Sequence, residues 1–518
     1  MLYLDRQHNP EINGKFITEL LDHRMDLREA IRETDSLFRQ NASKWEAVDH
    51  SLPGSFLENM VMAVPRLILS KKAFGVFDLP DTLLDQRSNV FPDWMPVLDE
   101  QYDKLHDKID RIVNVKDFGA AGDGVTDDTR AFAKAIGNGR VKVLVPEGVY
   151  ITKGIRLPSW TCLVGEGKGV TVIRLHEQAP RGTRLVSNRN YRRGNRNILV
   201  EGMTLDWNVE RLGDVPKTST WGNHSSCLLF ANVKYGWVRN VEGINPGLHC
   251  FDISSTLYDY SGDGYRAKGG SNYIWLDKLN GYGFGDDGIT THHSDNIFIS
   301  HCHMCDPSGR AHKEGFSNSN GIEVDDGSRS VLLVNNSTTR CFGGVEIKAH
   351  HNSSAANNVQ IIGHISVNDN RSFNFRHIGH HKVNDPESRT AHNIRATNLV
   401  AIAPVHTSLY EHSSPRGMVV SAYKNVVINN FTLIGDPEYD FGENPVIAIQ
   451  YRARNVILRN VSIRDFKNAN SNIKVFGGEQ CADDIQIRNV RVKNAAAKAV
   501  DVGNGIQNIK IDNVDALA

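Results

Sequence analysis

Net charge is almost absent from this sequence. Its 59 Lys and Arg stand against 60 Asp and Glu, a formal charge of -1 at pH 7. That removes the overall basic field with which proteins gather nucleic acid, so no nucleic-acid partner is expected and any charge-based function must be local. Cysteine is sparse and odd in number, 7 in 518 residues. This is not the dense framework of a small secreted domain, so most of the thiols are read as reduced and buried. Long apolar runs are missing too. The stretch 61–70 is broken by Pro65 and Arg66 and falls short of the roughly 20 residues a membrane span needs. Membrane insertion is not expected. With Asp5, Arg6 and His8 near the start and no apolar run behind them, a secretory leader is not expected either.

What is present is a long chain with 40% hydrophobic positions, enough for at least two structural units. Apolar residues at Phe16, Leu20, Leu27, Ile31 and Phe38 follow a helical period, which predicts one long amphipathic helix from Asn13 to about Val48. The segment 52–96 carries Pro53, Pro65, Pro80, Pro92 and Pro96 and reads as irregular with short helices. Leu98, Tyr102, Leu105, Ile109 and Ile112 then alternate spacings of four and three, the seam of a short heptad helix. Such a seam fits a neck where chains meet, a trimer being the natural guess; the alternative is a single helix packed on its own domain. The expected division is 1–96 helical and irregular, 97–113 neck, and 114–518 a β domain.

After Asn114 short β-type runs recur: Asp295-Asn296-Ile297-Phe298-Ile299, Asn357-Asn358-Val359-Gln360-Ile361, Lys424-Asn425-Val426-Val427-Ile428, Arg454-Asn455-Val456-Ile457-Leu458, Asp483-Asp484-Ile485-Gln486-Ile487 and Gln507-Asn508-Ile509-Lys510-Ile511. The last four lie roughly 24 to 30 residues apart, and the two earlier gaps are about twice that, as if each hid a degenerate copy. No copy can hold a core alone. Stacked, they bury one apolar column while each backbone pairs with the rungs above and below, which is a parallel β-helix. Asn at matching positions would form a ladder.

The run Val115-Lys116-Asp117-Phe118-Gly119-Ala120-Ala121-Gly122-Asp123-Gly124-Val125-Thr126-Asp127-Asp128-Thr129, with Val143-Leu144-Val145-Pro146-Glu147-Gly148-Val149-Tyr150 and Leu163-Val164-Gly165-Glu166-Gly167, resembles the opening segment of the pectate-lyase-like right-handed β-helix superfamily, which includes phage tailspikes, polygalacturonases and alginate epimerases. Gly122 and Gly124 suit a tight turn, and Asp127 or Asp128 suits the cap of a helix closing the column. A helical start, a neck and then such a β-helix looks like a virion tailspike or preneck appendage. The resemblance implies a homotrimer in the virion tail, held to other tail proteins by its N-terminal segment, that adsorbs to a host surface glycopolymer and often cleaves it.

Strand alternation fixes which side chains leave the column. With Phe251, Ile289, Ile322 and Val345 inside, the outward residues on four successive rungs fall into two columns. One runs Asp252, Thr290, Glu323, Glu346; the other runs Ser254, His292, Asp325, Lys348. Asp286 and Asp287 stand at the corner before Ile289, and His350 follows Lys348. Rungs about 4.8 Å apart would hold these carboxylates within the separations used to cleave glycosidic bonds, and their mutual repulsion would keep one protonated. Asp252, Asp286, Asp287, His292, Glu323 and Asp325 are therefore the catalytic candidates, and Glu346, Lys348, His350 and Arg376 the substrate-binding ones. Gly285-Asp286-Asp287-Gly288-Ile289 also resembles the paired-Asp motif of polygalacturonases, and Val345-Glu346-Ile347-Lys348 their basic strand. Glu346 stands where that family has Arg, however, and no Gly-His-Gly follows the Asp pair, so His292 or His293 would have to substitute.

Other readings stay open at this point. The acids could be solvated, or Asp325-Asp326-Gly327-Ser328 could hold Ca²⁺; no other cofactor is expected. His301-Cys302-His303-Met304-Cys305, with His312 beyond, has zinc-ligand types, but alternation sends its two Cys to opposite sides. The basic run Arg184, Arg189, Arg192, Arg193 and Arg196 could grip an anionic polymer such as a teichoic acid. Trp207, Trp221, Trp237 and Trp275 could stack on sugars or fill the core. A non-cleaving adhesin and a lyase or epimerase using Lys348 or a His as base are the rival functions.

Overall fold

The computed structural model describes residues 2–42, 70–72, 81–220 and 224–517. Most of the proline-rich segment, the end of the first expected helix and Trp221 lie outside the described residues. Two parallel sheets, of nineteen and twelve strands, make up the β domain. The chain alternates between them: Gly343–Ala349 in the smaller sheet leads to Asn357–Val367 in the larger and back to Arg371–His377 in the smaller. This is a parallel β-helix. Its apolar column is continuous, since Phe251, Ile289, Ile322, Val345, Phe373 and Met418 pair in register on successive rungs and are all fully buried. All seven thiols are free, and all but Cys481 are buried.

The Asn repeat has a backbone cause. Asn296, Asn358, Asn425, Asn455 and Asn508 all have positive φ, as does Asp484, and Asn and Asp enter that left-handed region at the least cost among residues with a Cβ. The doubled gaps each contain one further rung, at Ser330 (φ 56°) and Asn393 (φ 64°). The ladder forms as expected: Asn393 Nδ2 donates to Asn358 Oδ1 at 2.8 Å, and Asn425 Nδ2 to Asn393 Oδ1 at 2.6 Å.

Among the described residues the α-helices are α1 (Asn13–Leu20), α2 (Leu27–Ala42), α3 (Met95–Asp107) and α4 (Thr129–Ile136). The glycine-rich motif is structural. Asp127 accepts the Thr129 N–H at 3.1 Å where α4 begins, and Asp128 accepts the N–H groups of Ala121 and Gly122 at 2.7 and 3.2 Å. Phe132 and Ile136 of α4 then cap the column. At Gly122 a Cβ would stand 2.7 Å from the Tyr150 ring, so nothing larger fits.

Two expectations need correction. The long N-terminal helix is two helices separated at 21–26. The break lets Ile17 and Leu21 pack on Ile365 and Val400 while Phe38 packs on Val427 and Ile457, rungs further along; a straight helix would not follow both. The heptad helix forms only in part: α3 ends at Asp107, Ile109 and Ile112 lie beyond it with Ile112 exposed on the strand Arg111–Asn114, and the helical part of the seam faces its own chain. Leu98 and Leu105 are fully buried in one cluster with Cys162, Leu199 and Trp237 on the outer face of the larger sheet, and Tyr102 and Ile109 pack against it. Apolar outward residues on that sheet provide the surface on which Leu98 and Leu105 pack. Among the described residues no helix is long and apolar enough to cross a membrane.

Candidate active site

Five strands of the smaller sheet carry the candidate residues: β1 (Phe251–Ser254), β2 (Ile289–Thr291), β3 (Asn320–Val324), β4 (Gly343–Ala349) and β5 (Arg371–His377). Their register aligns Asp252, Thr290, Glu323, Glu346 and Asn374 in one outward column. In the second column, Val324 pairs with Ile347, which brings Asp325 beside Lys348, with Nζ 3.8 Å from its carboxylate. His292 joins them, Nε2 lying 3.5 Å from Asp325. Ser254 does not; it faces the Tyr258 hydroxyl at 3.5 Å.

These groups are not solvated. Asp287, Glu323, Asp325, His292 and Lys348 are buried, because loops before the strands (283–288 and 306–319) and after them (255–264 and 350–356) rise on both sides of the sheet. Between these banks is a cleft of about 340 Å³, whose lining includes Asp286, Asp287, His292, Glu323, Asp325, Lys348 and His350, together with His249, His312, Tyr258, Tyr260 and Asn318.

Within the cleft the acids divide by protonation. Burial pushes Asp287 well above the usual carboxylate range, reinforced by the negative charges of Asp286 and Glu323. Burial also raises Glu323 despite Lys348, whose Nζ is 2.8 Å away. Asp286 behaves oppositely: against the upward push of burial, His312 at 2.7 Å and His249 at 3.4 Å hold it well below the usual range. Asp325 is likewise held low, against burial, by Lys348, His350 and His292. The bases respond in kind. Against burial, Asp252 and Asp286 raise His249 to about 9, and Asp325 and Asp326 raise His350 to about 9. One cleft thus contains carboxyls that favour the proton beside carboxylates that favour charge, the division of labour that acid–base cleavage requires.

Three candidates stand elsewhere. Asp252 is fully buried behind His249, 3.2 Å from its Nδ1. Glu346 and Arg376 neutralise each other at 2.5 Å, with Asn374 adding a bond to Glu346 at 3.0 Å, and neither lines the cleft. A buried carboxylate next to a guanidinium pairs with it before any substrate can. The Asp325-Asp326 turn is also engaged internally, as Asp326 accepts the His350 N–H and faces its Nδ1, both at 2.9 Å. Much of the basic run is structural: Arg184 stacks on Tyr191, Arg189 binds the Gly137 carbonyl and Arg196 reaches Gln101 of α3. Trp207 and Trp237 are core, and Trp275 stacks on Phe298.

Sequence reasoning missed His249 and Asn320, and weighed His312 only among zinc-ligand types. The first two had a signal, since His249, Asp287 and Asn320 each stand two positions before the paired Phe251, Ile289 and Ile322. That corner column is linked in the structure. The Asn320 N–H and Nδ2 donate to Asp287 at 3.0 and 3.1 Å, and His249 lies 3.5 Å from Asp287. His312 arrives on a loop with no periodicity to announce it.

Comparison with known proteins bears on the fold. The family model described as rhamnogalacturonase A/epimerase, pectate lyase-like, matches residues 112–226, the segment containing the glycine-rich motif. The chain belongs to the pectate-lyase-like parallel β-helix superfamily. Within this superfamily it is similar to the phage-related protein YobO of Bacillus subtilis (strain 168), 53% identical over 416 residues, which cover 80% of this chain and 51% of that protein. It is also similar to the pre-neck appendage protein of Bacillus phage phi29, 44% identical over 409 residues, which cover 78% of this chain and 47% of that protein. The crystal structure of the N-terminal fragment of phi29 gene product 12 matches with a TM-score of 0.73 at 43% identity, covering 78% of this chain and 66% of that one. The chain spans about half the length of the curated relatives it matches.

Proposed function

We propose that this pectate-lyase-like β-helix belongs to a virion tail appendage that adsorbs to a host envelope glycopolymer and hydrolyses it in the cleft. The observation that carries this reading is the coexistence, in one cleft, of Asp287 and Glu323 with raised affinity for the proton and Asp286 and Asp325 with lowered affinity. In the reaction, Asp287 or Glu323 gives its proton to the leaving oxygen as the glycosidic bond breaks. Asp325 or Asp286 takes a proton from the attacking water, and Lys348, His249 and His350 balance the charge. The appendage role rests on the similarity to the phi29 pre-neck protein. A homotrimer and attachment through the N-terminal segment belong to the same proposal, with light scattering of the purified chain as the measurement.

A lyase using Lys348 as base is less well supported. Against burial, Glu323 and Asp325 raise Lys348 well above its usual range, and an ammonium cannot abstract a proton. Teichoic acid loses the support of the arginines now engaged in structure. The decisive experiment is incubation with host envelope polymers. New reducing ends support hydrolysis, unsaturated uronate absorbance the lyase, released glycerol phosphate a phosphodiesterase, and adsorption without any product the adhesin.

A further inference from the structure

Away from the cleft floor, Asp263, His377 and His380 converge, each offering a ligand atom within 4.8 Å of the others. They come from three places in the chain: the loop after β1, the end of β5 and the loop that follows β5. Both rings are buried, with centroids 3.8 Å apart. The proposed hydrolysis uses none of the three.

Two hydrogen bonds fix the orientation of the rings. His377 Nε2 faces the Ser353 carbonyl and His380 Nδ1 the Pro386 carbonyl, each at 3.0 Å. A carbonyl only accepts, so those nitrogens carry the protons, and in the neutral rings the lone pairs are on His377 Nδ1 and His380 Nε2. Metal-binding histidines are oriented by this kind of bond from the distal nitrogen. Asp263 is oriented too, by the Arg389 N–H at 2.6 Å and the Thr390 hydroxyl. The Ser388 hydroxyl lies 2.7 Å from His377 Nδ1 and 3.4 Å from Asp263 Oδ2, one proton for two acceptors. His249 in the cleft differs: carboxylates face both of its nitrogens, Asp252 at Nδ1 and Asp286 and Asp287 at Nε2, which leaves no lone pair for a metal.

We propose that Asp263, His377 and His380 form a binding site for a zinc-like transition-metal ion, with Ser388 or a water as fourth ligand. Zinc holds imidazole nitrogen and carboxylate oxygen at about 2.0 to 2.2 Å in a tetrahedron, so the donors close on it through side-chain movements of about 1 Å. The ion ties the loop 255–264, which carries the cleft-wall residues Tyr258 and Tyr260, to the rung ending at His377, and so fixes one bank of the cleft.

The test is calorimetric titration of the metal-stripped full chain with Zn²⁺, with bound metal counted by mass spectrometry and Tm followed with and without EDTA. The parent is expected to bind one zinc per chain and to gain Tm reversibly. Asp263→Asn and His380→Gln are each expected to weaken zinc binding at least tenfold and abolish the Tm gain, while His249→Gln binds as the parent does. Absence of stoichiometric zinc on the parent, undiminished binding by His380→Gln, or loss of binding in His249→Gln instead would overturn the proposal.

Discussion

The ammonium of Lys348 lies 2.8 Å from the carboxylate of Glu323 on the adjacent rung, with both side chains almost wholly enclosed. The same ammonium is 3.8 Å from Asp325, so one cation serves two buried acids. Removing a partner from such a group leaves uncompensated charge at a cost of about 3–5 kcal/mol. Lys348→Met is therefore expected to lower stability by about that amount in urea unfolding and to abolish cleavage. A stable variant with full turnover would show that Lys348 does not hold this network.

Replacing the carboxyls by amides separates chemistry from adsorption. Asp287→Asn, Glu323→Gln and Asp325→Asn keep size and much of the hydrogen bonding but remove the transferable proton or the charge. Each is expected to slow release of reducing ends by roughly 10²- to 10⁴-fold, the range for loss of an acid–base group, while cell adsorption in a pull-down stays near the parental level. Parental turnover in all three would remove the cleft as the site of hydrolysis.

The charged histidines predict an alkaline limit to stability. His249 is raised from 6.5 to about 9, so its contribution is fully present below pH 6.5 and is lost as pH rises through about 9. For this buried ring the whole effect is on the order of 3 kcal/mol. Asp286 and Asp325, depressed in the folded state, contribute in the opposite direction, above the ordinary carboxylate range and less as acid is added. Tm should therefore fall between pH 6.5 and 9, and His249→Gln should flatten that slope. An equal slope in parent and variant would remove His249 as its source.

The seam of α3 gives a prediction about assembly. Leu98 is fully buried against the chain's own sheet, so Leu98→Ala is expected to cost about 2–5 kcal/mol of stability with no change in oligomeric state by light scattering. A shift to smaller species at parental Tm would mean that the seam joins chains after all.

The β-helix was legible because it repeats. The Asn at each left-handed corner and the alternation beside it state the same backbone constraint on rung after rung, and even the missing copies at Ser330 and Asn393 were implied by the spacing. The outward column of Asp252, Thr290, Glu323 and Glu346 followed from the same alternation, since a strand's period of two is fixed locally.

The sequence by itself thus determined the architecture and the face from which the acids project, as both follow from local periodicity multiplied by stacking. Only the tertiary structure decided which of those acids share a cleft. That choice depends on loops such as the one carrying His312, on the pairing of Arg376 with Glu346 across a rung, and on whether the α3 seam finds a surface in its own chain. Contacts between segments far apart in sequence leave no periodic trace, because their partners are chosen by proximity in the folded chain.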